Sequence, residues 1–337
     1  MNLMTWFEQL TGFPEESPDQ VRENMAVDGE RLTSLVSGRE FTCGRLETPS
    51  LGDLQDRVGC SNHPTGKLSV RELVANVQDL HADEANEGCL FQVASQFNLL
   101  EMVSPDVTPE HGVGIYENDF TQGPACAIAA GAGTIYRNYF AVISGQVGQS
   151  ARNQIDCLAD IGVALGNSEQ ELWEMRNGYA LASREGLIGI SRRLDTSSEK
   201  EIDDLRRLLR IGIQWNTQVT IEDSRHTVTQ AYCSALPVAY ASYSPDLWES
   251  FARLILDASY EATICSAILN SLSNGNNRVF LTLLGGGAFG NRADWITASI
   301  QRALKLYEDW PLELAIVSYG ASKQAVRQLV EQFQPGQ

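Results

Sequence analysis

The sequence predicts an α/β sandwich, in which helices pack against a central sheet. In the second half of the chain, short apolar runs typical of strands alternate with segments of helical periodicity. The chain has 337 residues, of which 43% are hydrophobic and 20% charged, as expected of a globular protein. A chain of this length buries roughly three quarters of its unfolded surface, so it needs no disulfide or metal to hold its core together.

The first elements are predicted to be helical with an irregular segment between them. In residues 1–37, apolar side chains recur at helical spacing, namely Trp6, Phe7, Leu10, Val21, Met25 and Leu32. Residues 38–66 are predicted to be irregular or short-stranded, with a turn at GCSNHPTG. The stretch 68–83 opens with Ser69 and has Glu72 three residues later, a capping box, and its apolar residues form a helical stripe.

The middle of the chain contains a strand, a long loop and a helix. A buried strand is predicted at residues 89–95 and a loop rich in Pro, Gly and acidic residues at 103–123. Loops longer than about 12–15 residues in a compact domain are usually functional or disordered. The aromatic residues Tyr116 and Phe120 argue against pure disorder. Residues 123–140 then resemble one helix of small residues.

The remaining segments alternate between helix and strand. A helix is predicted around 168–175, a strand-like run at 179–194, and then a helix capped by Ser197 and Ser198. Two strands follow, one at IQWNTQVTI and one within 226–242, and then a long helix at 244–272. The chain continues with strand, glycine loop and helix over 278–304, a strand at LELAIVSYG and a last helix at ASKQAVRQLVEQF.

Charge excludes some classes of partner. The net charge is −18, which argues against non-specific binding to nucleic acid and against attraction to anionic lipid. A small anionic ligand remains compatible, because a few backbone N–H groups can bind phosphate inside an acidic protein. The sequence has neither a basic region followed by a short apolar run at its N-terminus nor 18 consecutive apolar residues, so we expect no signal peptide and no membrane span.

Cysteine and histidine usage indicates a reduced protein without a metal site. The seven cysteines form no CxxC pair, and several lie inside apolar runs. We therefore expect reduced core residues in an intracellular, cytoplasmic protein. The four histidines are scattered without the spacing of metal ligands.

The most distinctive motif is the glycine-rich segment LTLLGGGAFGNRADWI, residues 281–296. It joins a buried strand to a helix, the position at which phosphates bind in α/β folds, and its glycines allow backbone N–H groups to approach a ligand. It is neither a Walker A loop nor a GxGxxG motif. A tight turn without a ligand is the alternative. Phe289 favours ligand binding, because a Phe between glycines has little local backbone to pack against and can stack on a ribose or base.

Candidate polar residues follow the predicted strand at 89–95. Asn98 and Glu101 lie just beyond its carboxyl end, where ligands bind in α/β sheets. Asn98 is either a turn residue or a ribose-binding amide. Glu101, Glu110 and Asp119 are either solvated surface carboxylates or the acids and bases that hydrolysis of a glycosidic bond requires.

Two further segments are candidates for the wall of a pocket. Gln122 and the helix of small residues that follows it can pack close to a ligand. Tyr240, in the segment YCSALPVAYAS, is either a core aromatic residue or part of a pocket wall.

Together, these segments resemble the macrodomain superfamily, in its branch related to poly(ADP-ribose) glycohydrolase, and most closely the MavL-like ADP-ribosyl hydrolases. The segments that carry the resemblance are FQVASQFNLLE, PEHGVGIYENDFTQGPACAIAAGAGTIYRNYF, YCSALPVAY and LLGGGAFGN. The resemblance implies a three-layer α/β/α sandwich with a mixed sheet over residues 68–337. Residues 1–67 would form an N-terminal extension packed on this core, and an insertion would lie around 141–210.

The resemblance also implies a function. The protein would bind ADP-ribose and remove mono-ADP-ribose from modified protein, from arginine, without a cofactor or metal. LLEMVSP follows Asn98 in place of the triple glycine and Gln-Glu-Glu of poly(ADP-ribose) glycohydrolases, which argues against cleavage of poly(ADP-ribose) chains. The alternatives are a module that binds ADP-ribose without cleaving it, an enzyme acting on another NAD-derived nucleotide, and an interaction protein whose glycine loop is only a turn.

By the same resemblance, the glycine loop and Asn98 would bind the ligand. The diphosphate and distal ribose would contact the glycine loop, which consists of Gly285, Gly286, Gly287, Ala288, Phe289 and Gly290. Asn98 would contact the distal ribose. Glu101, Glu110 and Asp119 would be the counterparts of the family's acidic residues. Our own hypothesis for their roles is that Asp119 activates or positions water, and that Glu110 or Glu101 orients the ribose or the guanidinium leaving group.

Overall fold

The structure, a computed structural model, describes residues 4–62 and 64–333. These residues form twelve α-helices: α1 (Trp6–Thr11), α2 (Pro18–Asn24), α3 (Leu51–Gly59), α4 (Val77–Ala82), α5 (Gln122–Ala129), α6 (Gly131–Tyr139), α7 (Ala159–Leu165), α8 (Arg184–Thr196), α9 (Glu199–Arg206), α10 (Glu249–Asn274), α11 (Ala293–Leu306) and α12 (Gln324–Glu331). They also form fourteen strands: β1 (Met25–Asp28), β2 (Arg31–Ser34), β3 (Glu40–Thr42), β4 (Arg45–Glu47), β5 (Ser69–Val74), β6 (Leu90–Ala94), β7 (Val142–Ile143), β8 (Gln146–Val147), β9 (Trp173–Arg176), β10 (Tyr179–Ala182), β11 (Gly212–Gln218), β12 (Thr227–Cys233), β13 (Arg278–Leu281) and β14 (Glu313–Ser318). His63, in the predicted GCSNHPTG turn, lies outside the described residues.

Seven strands form the central sheet, in the order β4-β11-β12-β6-β13-β14-β5. From β12 to β5 all neighbours are parallel, whereas β11 is antiparallel to both β12 and β4, so the sheet is mixed. Parallel strands end at one edge of a sheet. The loops that follow β5, β6, β12, β13 and β14 therefore meet at the same edge.

Helices cover both faces of this sheet. On β12, the Thr229 hydroxyl donates to Asn270 of α10 at 2.8 Å, and the next side chain, Gln230, donates to the carbonyl of Cys126 in α5 at 2.9 Å. Successive strand residues point to opposite faces, so α10 and α5 lie in different layers. Helices α3 and α11 pack on α10, and α4 packs on α5. The predicted three-layer α/β/α sandwich with a mixed sheet is confirmed.

The N-terminal segment is only partly helical. Helices α1 and α2 are present, but Met25 and Leu32, which the sequence predicts on a helix face, lie in the strands β1 and β2. These strands form a hairpin whose turn begins at Gly29, with φ of +60°. The apolar spacing of a helix followed by a hairpin imitates one longer helix, and this explains the wrong prediction.

The capping box predicted at Ser69 is also wrong, because residues 69–74 form strand β5 at the edge of the sheet. Ser69 is paired with Glu313 of β14. The Glu72 carboxylate accepts hydrogen bonds from the Ser318 hydroxyl and the Lys323 backbone N–H, both at 2.7 Å. The helix starts later, at α4, which Asn76 caps.

The helix predicted at 123–140 is two helices, α5 and α6. The break occurs at Ala130, whose φ and ψ of −117° and 58° are not helical. The N–H of Gly131 leaves the helical pattern and donates to the Thr220 hydroxyl at 2.9 Å. A tertiary contact therefore ends the first helix.

The segment 168–194 differs from the prediction in both of its parts. The helix predicted around 168–175 is a turn followed by strand β9, which pairs with β10. The strand-like run at 179–194 is strand only in β10 and then becomes helix α8, capped by Ser183, whose hydroxyl accepts from the N–H of Gly186 at 2.9 Å. The predictions for β6, β11, β12, β13, β14, α9, α10, α11 and α12 are confirmed, although α10 begins at Glu249 rather than at Ser244.

Residues 1–67 and 141–210, which lie outside the segments that resemble the macrodomain family, also contact the core. Strand β4, within residues 1–67, is an edge strand of the central sheet, and residues 141–210 contribute α8 and α9, which contact α10. All seven cysteines are unpaired. Six are buried as predicted, but Cys60 is exposed. Within the described residues, no helix combines the length and the apolar character needed to cross a bilayer.

Candidate functional site

A cleft opens where strands β6 and β13 separate. They are paired as far as Phe91 and Phe280 and diverge towards their carboxyl ends. The side-chain amide of Gln122 is hydrogen-bonded to the free edge of β6. It accepts from the N–H of Ala94 and donates to the carbonyl of Gln92, both at 2.9 Å. The separation of two parallel neighbours creates a crevice at the edge where the loops meet.

Two adjoining cavities occupy this cleft. The carboxylate cavity, of about 400 Å³, is lined by Glu101, Asp119, Tyr179, Tyr240 and Phe289 among others. The apolar cavity, of about 560 Å³, is lined among others by Val77, Phe120, Ile296, Val317, Tyr319 and Val326. Both cavities share the residues Thr121, Gln122, Thr282, Leu283 and Gly287. The glycine loop therefore forms a wall common to the two.

The two ends of the glycine loop are held by buried side chains. The Tyr260 hydroxyl donates to the carbonyl of Thr282 at 2.8 Å and accepts from the N–H of Leu284 at 2.9 Å. At the other end, the Asn291 amide donates to the carbonyl of Leu236 at 2.8 Å. Gly285 has φ of +71°, a conformation that other residues rarely adopt. These contacts fix the loop before any ligand binds.

Four backbone N–H groups of this loop are free. Within the described part of the chain, the N–H groups of Gly285, Gly287, Ala288 and Phe289 have no hydrogen-bond partner, and all four residues line the carboxylate cavity. Successive unpaired N–H groups in a turn form an anion-binding concavity. The loop thus has the donors that the sequence motif predicts for a phosphate group.

Glu101 is a buried acid at the cavity wall. It is 4% exposed, and its carboxyl oxygen Oε1 has no hydrogen-bond partner among the described residues. Burial raises the pKa of Glu101 well above its ordinary value, the Arg137 guanidinium opposes this rise, and the negative charge of Asp119 adds to it. A carboxyl group in such an environment remains protonated at a higher pH than a solvated one and can act as an acid.

Asn98 supports the turn that carries Glu101 and does not reach the cleft. It is completely buried and lines neither cavity, and its amide donates to Gln154 at 2.9 Å. Leu99 next to it has φ of +66°, and its carbonyl accepts from the Arg137 guanidinium at 3.2 Å. The ribose contact predicted for Asn98 is therefore not supported, because both ends of its amide are used inside the protein.

The three predicted catalytic carboxylates are not all together. Asp119 is half-buried and lines the carboxylate cavity with Glu101, and its Oδ1 accepts from the N–H of Thr121 at 2.9 Å. Glu110 is exposed, lines neither cavity and accepts from the N–H of Ala151 at 2.8 Å. The structure therefore corrects the catalytic prediction for Glu110, because its backbone bond holds it outside the cleft.

An aromatic cluster forms the far wall of the carboxylate cavity. The ring centroid of Phe289 lies 5.4 Å from that of Tyr179 and 5.7 Å from that of Tyr240. Phe289 therefore has packing partners, contrary to the prediction. Tyr240 is 40% exposed and is a pocket wall rather than a core residue.

Several lining residues were not predicted. Tyr179 comes from strand β10, within residues 141–210, which lie outside the segments that resemble the macrodomain family. Its only signal in the sequence is its position at the start of an apolar run. Phe120 and Tyr319, 92% and 76% exposed, line the apolar cavity. Lys323 is the one basic residue among the described residues that line either cavity.

The other predicted binding residues differ in which of the two cavities they line. Gly286 lines the apolar cavity and Gly287 both, whereas Gly290 lines neither and packs against Ala239. Gln122 lines both cavities, but its amide is bonded to β6. Among the described residues, no three His, Cys, Asp or Glu side chains cluster as metal ligands would.

Comparison with known proteins finds similarity only among solved structures. No family model matches the chain, and no curated protein sequence matches it. Poly(ADP-ribose) glycohydrolase from Thermomonospora curvata aligns with 93% of this chain and 96% of its own, at 10% identity and a TM-score of 0.45. Poly(ADP-ribose) glycohydrolase from Deinococcus radiodurans in complex with ADP-ribose aligns with 86% of this chain and 94% of its own, at 9% identity and a TM-score of 0.45.

Proposed function

We propose that the protein is an ADP-ribosyl hydrolase that binds ADP-ribose in the cleft and removes mono-ADP-ribose from arginine on modified protein. The observation that carries this proposal is the row of unpaired N–H groups in the glycine loop, which separates an apolar cavity from a cavity with two carboxylates. ADP-ribose has the same order of parts, since its diphosphate joins an adenosine to a second ribose. The sequence resemblance supports the same ligand.

The adenosine half fits the apolar cavity. Val77, Ile296 and Val326 supply apolar walls against which a purine can be buried. Phe120 and Tyr319 are exposed aromatic side chains that line the same cavity and offer surfaces for stacking. The diphosphate then meets the free N–H groups of the glycine loop.

The distal ribose fits the carboxylate cavity. Its ring packs against the aromatic cluster of Tyr179, Tyr240 and Phe289, and its C1 atom faces the two carboxylates that line the cavity, Glu101 and Asp119. The net charge of −18 favours the approach of a cationic arginine adduct.

Hydrolysis then uses the two carboxylates in different states. The bond between C1 and the guanidino nitrogen breaks as a bond forms between C1 and the oxygen of water. Asp119, which is half-exposed at the cavity wall, accepts the proton of the attacking water. Glu101, whose pKa burial raises well above its ordinary value, donates its proton to the departing nitrogen. Solvent returns a proton from Asp119 to Glu101, and the enzyme regains its starting state.

The experiment that tests the proposal is release of ADP-ribose from a protein modified on arginine, alongside calorimetric binding of free ADP-ribose. We expect both binding and release. Parallel substrates modified on serine or glutamate, or carrying poly(ADP-ribose), determine the linkage and the chain length. Binding without release from any substrate would replace the hydrolase with a module that reads ADP-ribose. Failure to bind ADP-ribose would contradict both functions.

A further inference from the structure

A side chain of the N-terminal segment reaches the loop that carries the candidate catalytic groups. Glu15 lies between α1 and α2, and its carboxylate accepts three hydrogen bonds. The donors are the N–H of Val113 at 2.9 Å, the N–H of Gly114 at 2.6 Å and the hydroxyl of Tyr139 at 2.6 Å. Hydrogen bonds to a carboxylate are among the stronger ones in proteins. This single side chain therefore ties residues 113–114 to the N-terminal segment.

Two glycines make this approach possible. A Cβ atom on Gly112 would lie 2.4 Å from Oε2 of Glu15, and one on Gly114 would lie 2.8 Å from the same oxygen. Gly112 also has φ of +83°, which favours glycine. The motif HGVG at 111–114 thus fits a carboxylate from another part of the chain.

The residues that Glu15 holds begin the turn that supports both carboxylates of the cleft. Gly114–Asn118 is a 3₁₀ helix. Within it, the Tyr116 hydroxyl accepts the backbone N–H of Glu101 at 3.0 Å. Asp119 directly follows it, and its own N–H donates to the Tyr116 carbonyl at 3.1 Å. One turn therefore sets the position of Glu101 and of Asp119.

Helix α1 holds the same turn at a second point. The Trp6 indole N–H donates to the carbonyl of Val113 at 3.1 Å. The backbone N–H of Trp6 donates to the Glu117 carboxylate at 3.0 Å. The N-terminal segment therefore contacts the turn at its first residues through Glu15 and along its length through Trp6.

We infer that Glu15 is a positioning residue that, with the N-terminal segment, holds Glu101 and Asp119 in their places in the cleft. This inference rests on the proposed function for its catalytic consequence. Its structural part, the fixing of the turn by Glu15, stands on the contacts alone.

The test combines amide hydrogen exchange with kinetics on Glu15→Gln in the full chain. The Gln side chain keeps the shape of Glu but replaces one acceptor oxygen with an NH2 group. This group cannot accept a hydrogen bond from the backbone N–H of Val113 or Gly114. We expect faster exchange at residues 113–119 and at Glu101, with unchanged exchange in β12 and β13. We also expect kcat for ADP-ribose release to fall by about 10²-fold, the cost of a misplaced catalytic group, while KM and the Kd for free ADP-ribose change less than threefold.

Ser34→Ala is the matched control, because Ser34 is buried in the N-terminal segment and donates to the Thr11 carbonyl at 2.6 Å without touching the turn. It should leave both readouts at the level of wild type. Wild-type exchange at residues 113–119 in Glu15→Gln would overturn the inference, as would a wild-type kcat. If wild-type protein binds ADP-ribose without releasing it from any adduct, the proposed function fails, and the exchange measurement still decides whether Glu15 fixes the turn.

Discussion

Gly123 lies directly against the carboxylate of Glu101. A Cβ atom at position 123 would be 2.3 Å from Oε2 of Glu101 and 2.1 Å from the carbonyl oxygen of Ala94. Helix α5 begins at Gln122, so its first turn packs on the acid and contributes to its burial. The small residues that follow the acidic loop in the sequence are thus matched to a buried carboxyl group.

Gly123→Ala should therefore disrupt the site more than most alanine substitutions in a helix. We expect it to lower the free energy of unfolding by about 1–3 kcal/mol, because the added methyl group overlaps backbone and carboxylate atoms, and to abolish release of ADP-ribose. Urea unfolding measures the first effect. Gly189→Ala in helix α8 is the control, because its nearest neighbour would be 3.9 Å away. Equal stability of the two variants would contradict the packing argument.

Substitution of the two cleft carboxylates should separate catalysis from binding. Glu101→Gln and Asp119→Asn are each expected to lower the rate of ADP-ribose release by about 10²–10⁴-fold, the range for loss of a general acid or base. Calorimetry should still detect ADP-ribose binding to both. Glu110→Gln serves as the control and should retain full activity, since Glu110 lines neither cavity. Full activity in the first two variants would remove their catalytic assignment.

The burial of Glu101 also predicts a dependence of stability on pH. Its folded-state pKa is raised above the unfolded value, so its contribution to stability is greatest below the unfolded pKa and is lost as the pH rises towards the folded pKa. Glu101→Gln has no such titration. The free energy of unfolding of this variant should therefore increase relative to that of wild type as the pH rises from 4 to 8. A difference that is the same at both pH values would refute a buried, protonated Glu101.

Two glycines of the loop should respond differently to alanine. In Gly285→Ala, φ of +71° and a Cβ 2.4 Å from that of Ala235 should lower the free energy of unfolding by about 1–3 kcal/mol. In Gly287→Ala, the Cβ meets no atom within 4 Å, so stability should change by less than about 0.5 kcal/mol. ADP-ribose should nevertheless bind about tenfold more weakly or worse, a loss of at least about 1.4 kcal/mol, because the methyl group enters the cleft. Unchanged affinity would show that the ligand does not contact Gly287.

The exposed aromatic residues of the apolar cavity should bind the base. Phe120→Ala and Tyr319→Ala are each expected to weaken binding of AMP and ADP-ribose by about 1–3 kcal/mol, the usual contribution of base stacking. Leu306→Ala should have no effect, because Leu306 is exposed but outside both cavities. Calorimetry with AMP measures the affinity of the nucleoside half by itself. Unaltered AMP binding in both aromatic variants would place the base elsewhere.

Local sequence was sufficient to predict an α/β sandwich and the glycine loop. A buried strand, a run of glycines and a helix are consecutive in the chain, so their order is visible without tertiary information. The error at residues 68–83 has a physical reason. A strand, a two-residue turn and a short helix place Val70, Leu73, Val77 and Leu80 at spacings that one helix would also give. Only pairing with β14, more than 200 residues later, distinguishes the two structures.

The choice among the candidate polar residues also depended on distant contacts. Asn98 and Glu101 follow the same strand at similar distances, and the sequence does not show which of them faces the cleft. Leu99 with its positive φ, held by Arg137 from helix α6, turns Glu101 towards the cavity and leaves Asn98 inside the protein. Tyr179 lines the cleft from the hairpin of β9 and β10, which is distant in sequence from the other lining residues. No local pattern in the sequence reveals this tertiary contact.

The most direct test of the account is a crystal structure of the protein with ADP-ribose. We predict diphosphate oxygens within about 3.2 Å of the backbone nitrogens of Gly287, Ala288 and Phe289. We also predict the C1 atom of the distal ribose in the carboxylate cavity, next to Glu101 and Asp119. A nucleotide whose diphosphate lies away from the glycine loop, or whose distal ribose lies outside that cavity, would contradict the account.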